Sequence, residues 1–167
     1  MSHSFDIWTE SPASVEQIHA AFSREDYWVT RLTAGDAVTT LDSLTVDPDG
    51  MVAMHATQHL GRQLLPGPVA RLLPGDLKIL HTEKWKPVGE GRVRGQVTVS
   101  ASGGFGSGRG DALLAPVGGG SQMHFAVRVK VKIPLVGGAL EKSIGTGLAE
   151  NIPALQRFTS TWIAEHG

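Results

Sequence analysis

Glu83 and His81 stand two residues apart in Leu77 to Trp85, a stretch in which charged and apolar side chains alternate. On a β-strand this spacing puts both on one face. Lys78 and Lys84 claim the solvent side, so Leu77, Ile79, His81, Glu83 and Trp85 point inward. A carboxyl group and an imidazole on an apolar face have two uses. Unpaired, Glu83 has its pKa raised by burial and serves as a general acid or as an anchor for a ligand hydroxyl; paired, the two groups satisfy one another. Asn151, on the apolar stripe of a C-terminal helix, is placed to join them. His55 and His59 have H-x-x-x-H spacing, but they fall on a strand, opposite Val52, Met54 and Leu60, with no third ligand, so no metal is expected. The glycine run from Gly103 to Gly110 lacks the G-x-G-x-x-G register, a following helix and a phosphate-binding lysine. It reads as hairpin and strand, and no cofactor is expected.

The elements that must position these groups follow from periodicity. Residues 3 to 10 alternate as a strand, with Phe5, Ile7 and Thr9 on one face. Ser11 and Pro12 suit a helix start, with Val15, Ile18, His19 and Phe22 at helical spacing. Ser23 and Asp26 suit a second start, with Tyr27, Trp28 and Leu32 as its stripe up to Gly35. Period two then takes over at about 37 to 46, 51 to 60, 77 to 86, 92 to 101, 106 to 116 and 121 to 133. Turn chemistry separates these segments at Asp47-Pro48-Asp49-Gly50, Gly89-Glu90-Gly91 and Gly118-Gly119-Gly120, which favours antiparallel hairpins. A hairpin loop from Pro87 to Gly91 sets Trp85 across from Val93 and Glu83 across from Gly95. Residues 139 to 165 read as a long helix with Leu140, Ile144, Leu148, Ile152, Leu155, Thr159 and Trp162 facing inward. Pro153 interrupts its hydrogen bonding and predicts a bend. The segment from Gly61 to Asp76, with Pro66, Pro68 and Pro74, reads as a loop whose apolar piece, Val69 to Leu73, folds back on the body.

Composition excludes several functions. Fifteen Lys and Arg against sixteen Asp and Glu give a formal charge of -1, so no net field draws nucleic acid or anionic lipid. The basic stripe of Arg128, Lys130 and Lys132 is local, and Asp6 and Glu10 on a neighbouring first strand are placed to neutralise it. The absence of cysteine removes disulfides, thiolate metal sites and cysteine nucleophiles. No apolar run approaches the roughly eighteen residues that span a bilayer, and no signal core opens the chain, so membrane insertion is not expected and a cytoplasmic location is.

The order strand, two short helices, six strands, long helix resembles the START-like (SRPBCC) superfamily. At finer grain, Ser11 to Gln17, Pro74 to Leu77, Thr82 to Trp85, Gly91 to Gly95, and Ile133 to Gly138 followed by Glu141 resemble an actinobacterial family catalogued only as a domain of unknown function. The resemblance implies an α+β helix-grip fold over residues 1–167 as one domain. In it a curved seven-stranded antiparallel sheet wraps a long C-terminal helix, with an apolar cavity between them. Residue patterning adds that Gly106, Gly108 and Gly110 either keep one inner strand low or permit strong coiling of a sheet whose core closes, the resemblance favouring the first, and that Gly95 leaves room beside Glu83. The expected wall comprises Trp28, Leu44, Met54, Ile79 and Trp85, then Val97, Leu114, Phe125 and Val127, and on the helix Leu148 and Ile152. His81, Glu83 and Asn151 are its polar members. Three functions fit: carriage of a small apolar molecule such as a lipid, isoprenoid or polyketide; a cyclase or dehydratase using Glu83 or His81 as acid or base; or a protein-interaction module with a vestigial cavity.

Overall fold

The structure, a computed structural model, describes residues 2–34, 37–65, 67–72 and 75–166. Strand β1 (His3–Ser11) leads into helices α1 (Val15–Phe22) and α2 (Glu25–Leu32). Strands β2 (Val38–Val46) and β3 (Val52–Leu60) follow, then a 3-10 turn at Arg62–Leu64 and helix α3 (Gly67–Leu72). Strands β4 (Leu77–Gly89), β5 (Arg92–Ala101), β6 (Gly106–Val117) and β7 (Gly120–Val131) complete the sheet before helix α4 (Gly137–His166). Among the described residues the seven strands form one antiparallel sheet in the order β1-β7-β6-β5-β4-β3-β2. This is the expected architecture: β2 to β7 lie in sequence order, each beside the next, and β1 closes on β7 beside α4. No helix among the described residues is long and apolar enough to cross a membrane.

Helix α1 starts later than Ser11 and Pro12 suggest, because Ser11 is still in β1, opposite Ser121. Its cap is Ser14, whose hydroxyl accepts from the Gln17 N–H at 3.1 Å while the Gln17 side chain accepts from the Ser14 N–H at 2.9 Å. Helix α2 begins after Arg24, and Ser23 instead donates back to the His19 carbonyl. Gly35, Pro66, Leu73 and Pro74 lie outside the described residues, and the packing expected of Val69 to Leu73 rests on side chains outside them. Pro153 lies inside α4 without ending it.

The β4–β5 hairpin is tighter than its composition suggests. Glu90 and Gly91 both have positive φ, 57° and 70°, as a two-residue type I′ turn requires, and a bulge falls between Pro87 and Gly89. The register therefore sets Trp85 opposite Gly95 and Glu83 opposite Val97, a two-residue correction to the expected pairing. Gly95 leaves room for the Trp85 indole, not for space beside Glu83: a Cβ there would stand 2.4 Å from the ring. At the other side of the sheet, β1 pairs with β7 so that Ser4 faces Arg128 and Glu10 faces Gln122. Asp6 consequently bridges His124 at 2.9 Å rather than neutralising the basic stripe.

Helix α4 approaches β1 closely at Gly145, where a Cβ would lie 2.1 Å from the Phe5 ring. Alanine gains about 1 kcal/mol of helix propensity over glycine, but forced overpacking costs about 1–3 kcal/mol. Gly145→Ala is accordingly expected to lower the unfolding free energy by about 1 kcal/mol, read as a lower urea midpoint with unchanged slope. A higher midpoint would contradict this packing.

Candidate functional site

The concave face of the sheet divides into two territories. Toward the β4–β5 turn it is covered by α1 and α2 and packed solid. Phe22 meets Tyr27, Trp28 and Trp85 at ring-centroid distances of 5.5, 5.6 and 4.8 Å, and Tyr27 meets Trp162 edge-on at 5.3 Å. Toward the other end α4 spans the sheet without filling the space, leaving a cavity of about 530 Å³, a volume typical of small-molecule sites. Ile79, Val97, Val127 and Val129 form its sheet wall, and Leu148 and Ile152 its helix wall.

Nine of the residues expected at the site border this space: Ile79, His81, Glu83, Trp85, Val97, Phe125, Val127, Leu148 and Ile152. Five do not. Trp28 is fully buried in the aromatic plug, its indole N–H donating to the Phe22 carbonyl at 2.7 Å. Met54 and Leu114 are fully buried in the hydrophobic core, on the packed part of the sheet, and Leu44 packs against that core from edge strand β2. Asn151 is exposed: the buried stripe of α4 runs through Ile152, Gln156 and Thr159, and one residue of offset turns a side chain by about 100°. Gly106, Gly108 and Gly110 border the cavity as expected, although the Phe125 ring occupies the space above Gly110.

The polar cluster lies where the plug meets the cavity. Glu83, 2% exposed, accepts from Trp85 Nε1 at 3.0 Å, from Arg31 at 3.1 Å and from His81 Nε2 at 2.8 Å. Burial pushes its pKa up, but the Arg31 guanidinium, the His81 hydrogen bond and the Trp85 indole outweigh it and hold the carboxyl at about 2. Glu83 is therefore ionised at neutral pH and has no proton to give, which is the paired one of the two cases the sequence allows. Arg31 also lies over the Trp28 ring, 4.7 Å from its centroid, so both the charge and the plane of the guanidinium are used. Next to it the Tyr27 hydroxyl donates to Thr159 Oγ1 at 2.7 Å, and Thr159 donates to the Leu155 carbonyl at 2.8 Å. These bonds tie α2, β4 and α4 together around one end of the cavity.

Sequence reasoning missed Arg31 and Gln156 as polar members of this end, and placed Thr159 on the inward stripe without giving it a polar role. Arg31 lies one turn after Tyr27, on the same face of α2, which was the available signal. A second buried carboxylate, Glu141, accepts from His3 Nδ1 at 2.5 Å and from the Val131 N–H at 2.8 Å. Those two bonds, the backbone one foremost, hold its pKa below the usual carboxylate range. Glu141 pins the first turns of α4 to β1 and β7 and does not border the cavity. His55 and His59 are exposed, His55 within 3.2 Å of the Thr82 hydroxyl, and no cluster of metal-ligating side chains occurs among the described residues.

Comparison with known proteins agrees with this architecture. Residues 6–163 match the family model described as protein of unknown function (DUF2505). An uncharacterized protein of Mycobacterium tuberculosis is 37% identical over 173 residues, covering 99% of each chain. Among solved structures, a START superfamily protein from Mycobacterium smegmatis superposes with a TM-score of 0.57 at 14% identity, covering 96% of this chain and 99% of that one. Norcoclaurine synthase from Thalictrum flavum, in complex with dopamine and hydroxybenzaldehyde, superposes with a TM-score of 0.51 at 18% identity, covering 100% and 89%. The chain thus belongs to the family of proteins of unknown function DUF2505 and carries the START-like helix-grip fold.

Proposed function

We propose that the chain, acting over residues 1–167 as one unit, binds a small and largely apolar molecule between the sheet and α4. The observation that carries this reading is the cavity of about 530 Å³, walled by aliphatic and aromatic side chains and ending on a neutralised polar cluster. An apolar ligand gains affinity from such walls and orientation from the polar end. A carrier needs nothing more. The Glu83–Arg31 pair suits that role better than proton transfer, since its charge is matched and its acceptor oxygens are engaged by three donors. Norcoclaurine synthase, of the same fold, accommodates two small aromatic molecules, which supports the size class and nothing finer.

Titration with N-phenylnaphthylamine tests the reading. Its fluorescence is expected to rise saturably with a Kd on the order of micromolar and to fall again when a long-chain alcohol competes. A linear, unsaturable response that no apolar competitor reverses would contradict it.

A further inference from the structure

Gln156 lies in the inward stripe of α4, four residues after Ile152 and three before Thr159, and it borders the cavity. It is 5% exposed, yet its Nε2 has no hydrogen-bond partner among the described residues. A buried amide donor withdrawn from water without a partner is destabilising, and native proteins seldom leave one so. None of the described polar side chains at this end accepts from it. Glu83 is engaged by its own three donors, and the Tyr27 and Thr159 hydroxyls bond one another and the Leu155 carbonyl, so none of these oxygens is paired with Gln156 Nε2.

We propose that Gln156 Nε2 donates a hydrogen bond to a neutral oxygen acceptor, the ketone, ester or hydroxyl oxygen of an otherwise apolar ligand, and so sets which end of the ligand lies at the polar pole. This deepens the cavity-binding reading and rests on it. The acceptor is neutral because the charge here is already matched: Arg31 is paired with Glu83, and a ligand carboxylate would face that carboxylate without a cation of its own. It is an acceptor because the group left unpaired is an N–H donor. A hydrocarbon of the same shape leaves that donor unsatisfied, and a site built to hydrogen-bond its ligand discriminates against the analogue lacking the partner.

Two naphthalene probes that differ only in one carbonyl test this: the ketone prodan and its deoxygenated counterpart, 2-dimethylamino-6-propylnaphthalene. The wild-type protein is expected to bind prodan about tenfold more tightly. Gln156→Met, which keeps the volume and deletes the donor, is expected to bring that ratio close to unity and to shift bound prodan emission to the blue, as loss of a hydrogen bond to the ketone does. Gln156→Leu serves as the second variant, and thermal melting monitored by circular dichroism confirms that each is folded. An equal ratio in the wild type and both variants overturns the assignment of Gln156 while leaving cavity binding in place. Failure of both probes to bind any of the proteins overturns cavity binding itself, and this inference with it.

Discussion

Gly108→Leu is expected to weaken binding of N-phenylnaphthylamine by at least about tenfold while leaving the melting temperature unchanged or raised. Gly108 borders the cavity on β6, in register with Val99 on β5 and Val129 on β7. A Cβ built there meets only the Arg128 carbonyl oxygen, at 3.8 Å, which is ordinary van der Waals contact. The leucine side chain therefore enters empty space rather than packed core. It occupies volume the ligand needs, buries apolar surface, and replaces a strand glycine with a residue that loses less backbone entropy on folding. The neighbouring glycines behave differently: a Cβ at Gly110 would stand 2.4 Å from the Phe125 ring, so Gly110→Leu disturbs packing and reports on stability. Undiminished probe affinity in a folded Gly108→Leu protein would place the probe elsewhere on the surface.

Glu83→Gln is expected to destabilise the fold by about 3–5 kcal/mol, the usual cost of leaving a buried charge unpaired, here the Arg31 guanidinium. The carboxyl is held at about 2 in the folded protein against an ordinary 4.5. Its folded pKa is depressed, so its contribution is fully present above the unfolded value and is lost as pH falls from about 4.5 through about 2. A shift of this size corresponds to about 3 kcal/mol. Urea midpoints measured across that window should fall more steeply in the wild type than in Glu83→Gln. The paired change Arg31→Met with Glu83→Leu should recover much of the loss, because it removes both charges from the interior together. Parallel pH dependence in wild type and Glu83→Gln would show that Glu83 is not held ionised by its partners.

The fold was legible because its periodicities are unambiguous. Lys78 and Lys84 orient β4, and once they are in water, Leu77, Ile79, His81, Glu83 and Trp85 have only the concave face left. The β7 alternation and the apolar stripe of α4 are equally direct. What escaped depended on single-residue geometry. The positive φ of Glu90 and the bulge after Pro87 moved the β4–β5 register by two, and no propensity of Glu90 announces a left-handed conformation. On α4, Leu148 and Ile152 border the cavity, whereas Asn151, one residue off the stripe, is exposed and Gln156, at i+4 from Ile152, is buried. Arg31 was overlooked because a cation on a short surface helix is ordinarily solvated. Trp28, on the stripe of α2, is seated in the plug by the bond from its indole to the Phe22 carbonyl, a tertiary contact that spacing does not encode.

The central claim is that α4 covers the sheet without filling the space beneath it and that an apolar molecule occupies that space. Native mass spectrometry of freshly purified protein, followed by organic extraction and mass analysis of the extract, tests this most directly. A mass above that of the bare chain is predicted for the wild type, with an extractable apolar compound carrying an uncharged oxygen, and a bare mass for Gly108→Leu. Bare chains in both proteins, together with no uptake of the naphthalene probes, would contradict the claim.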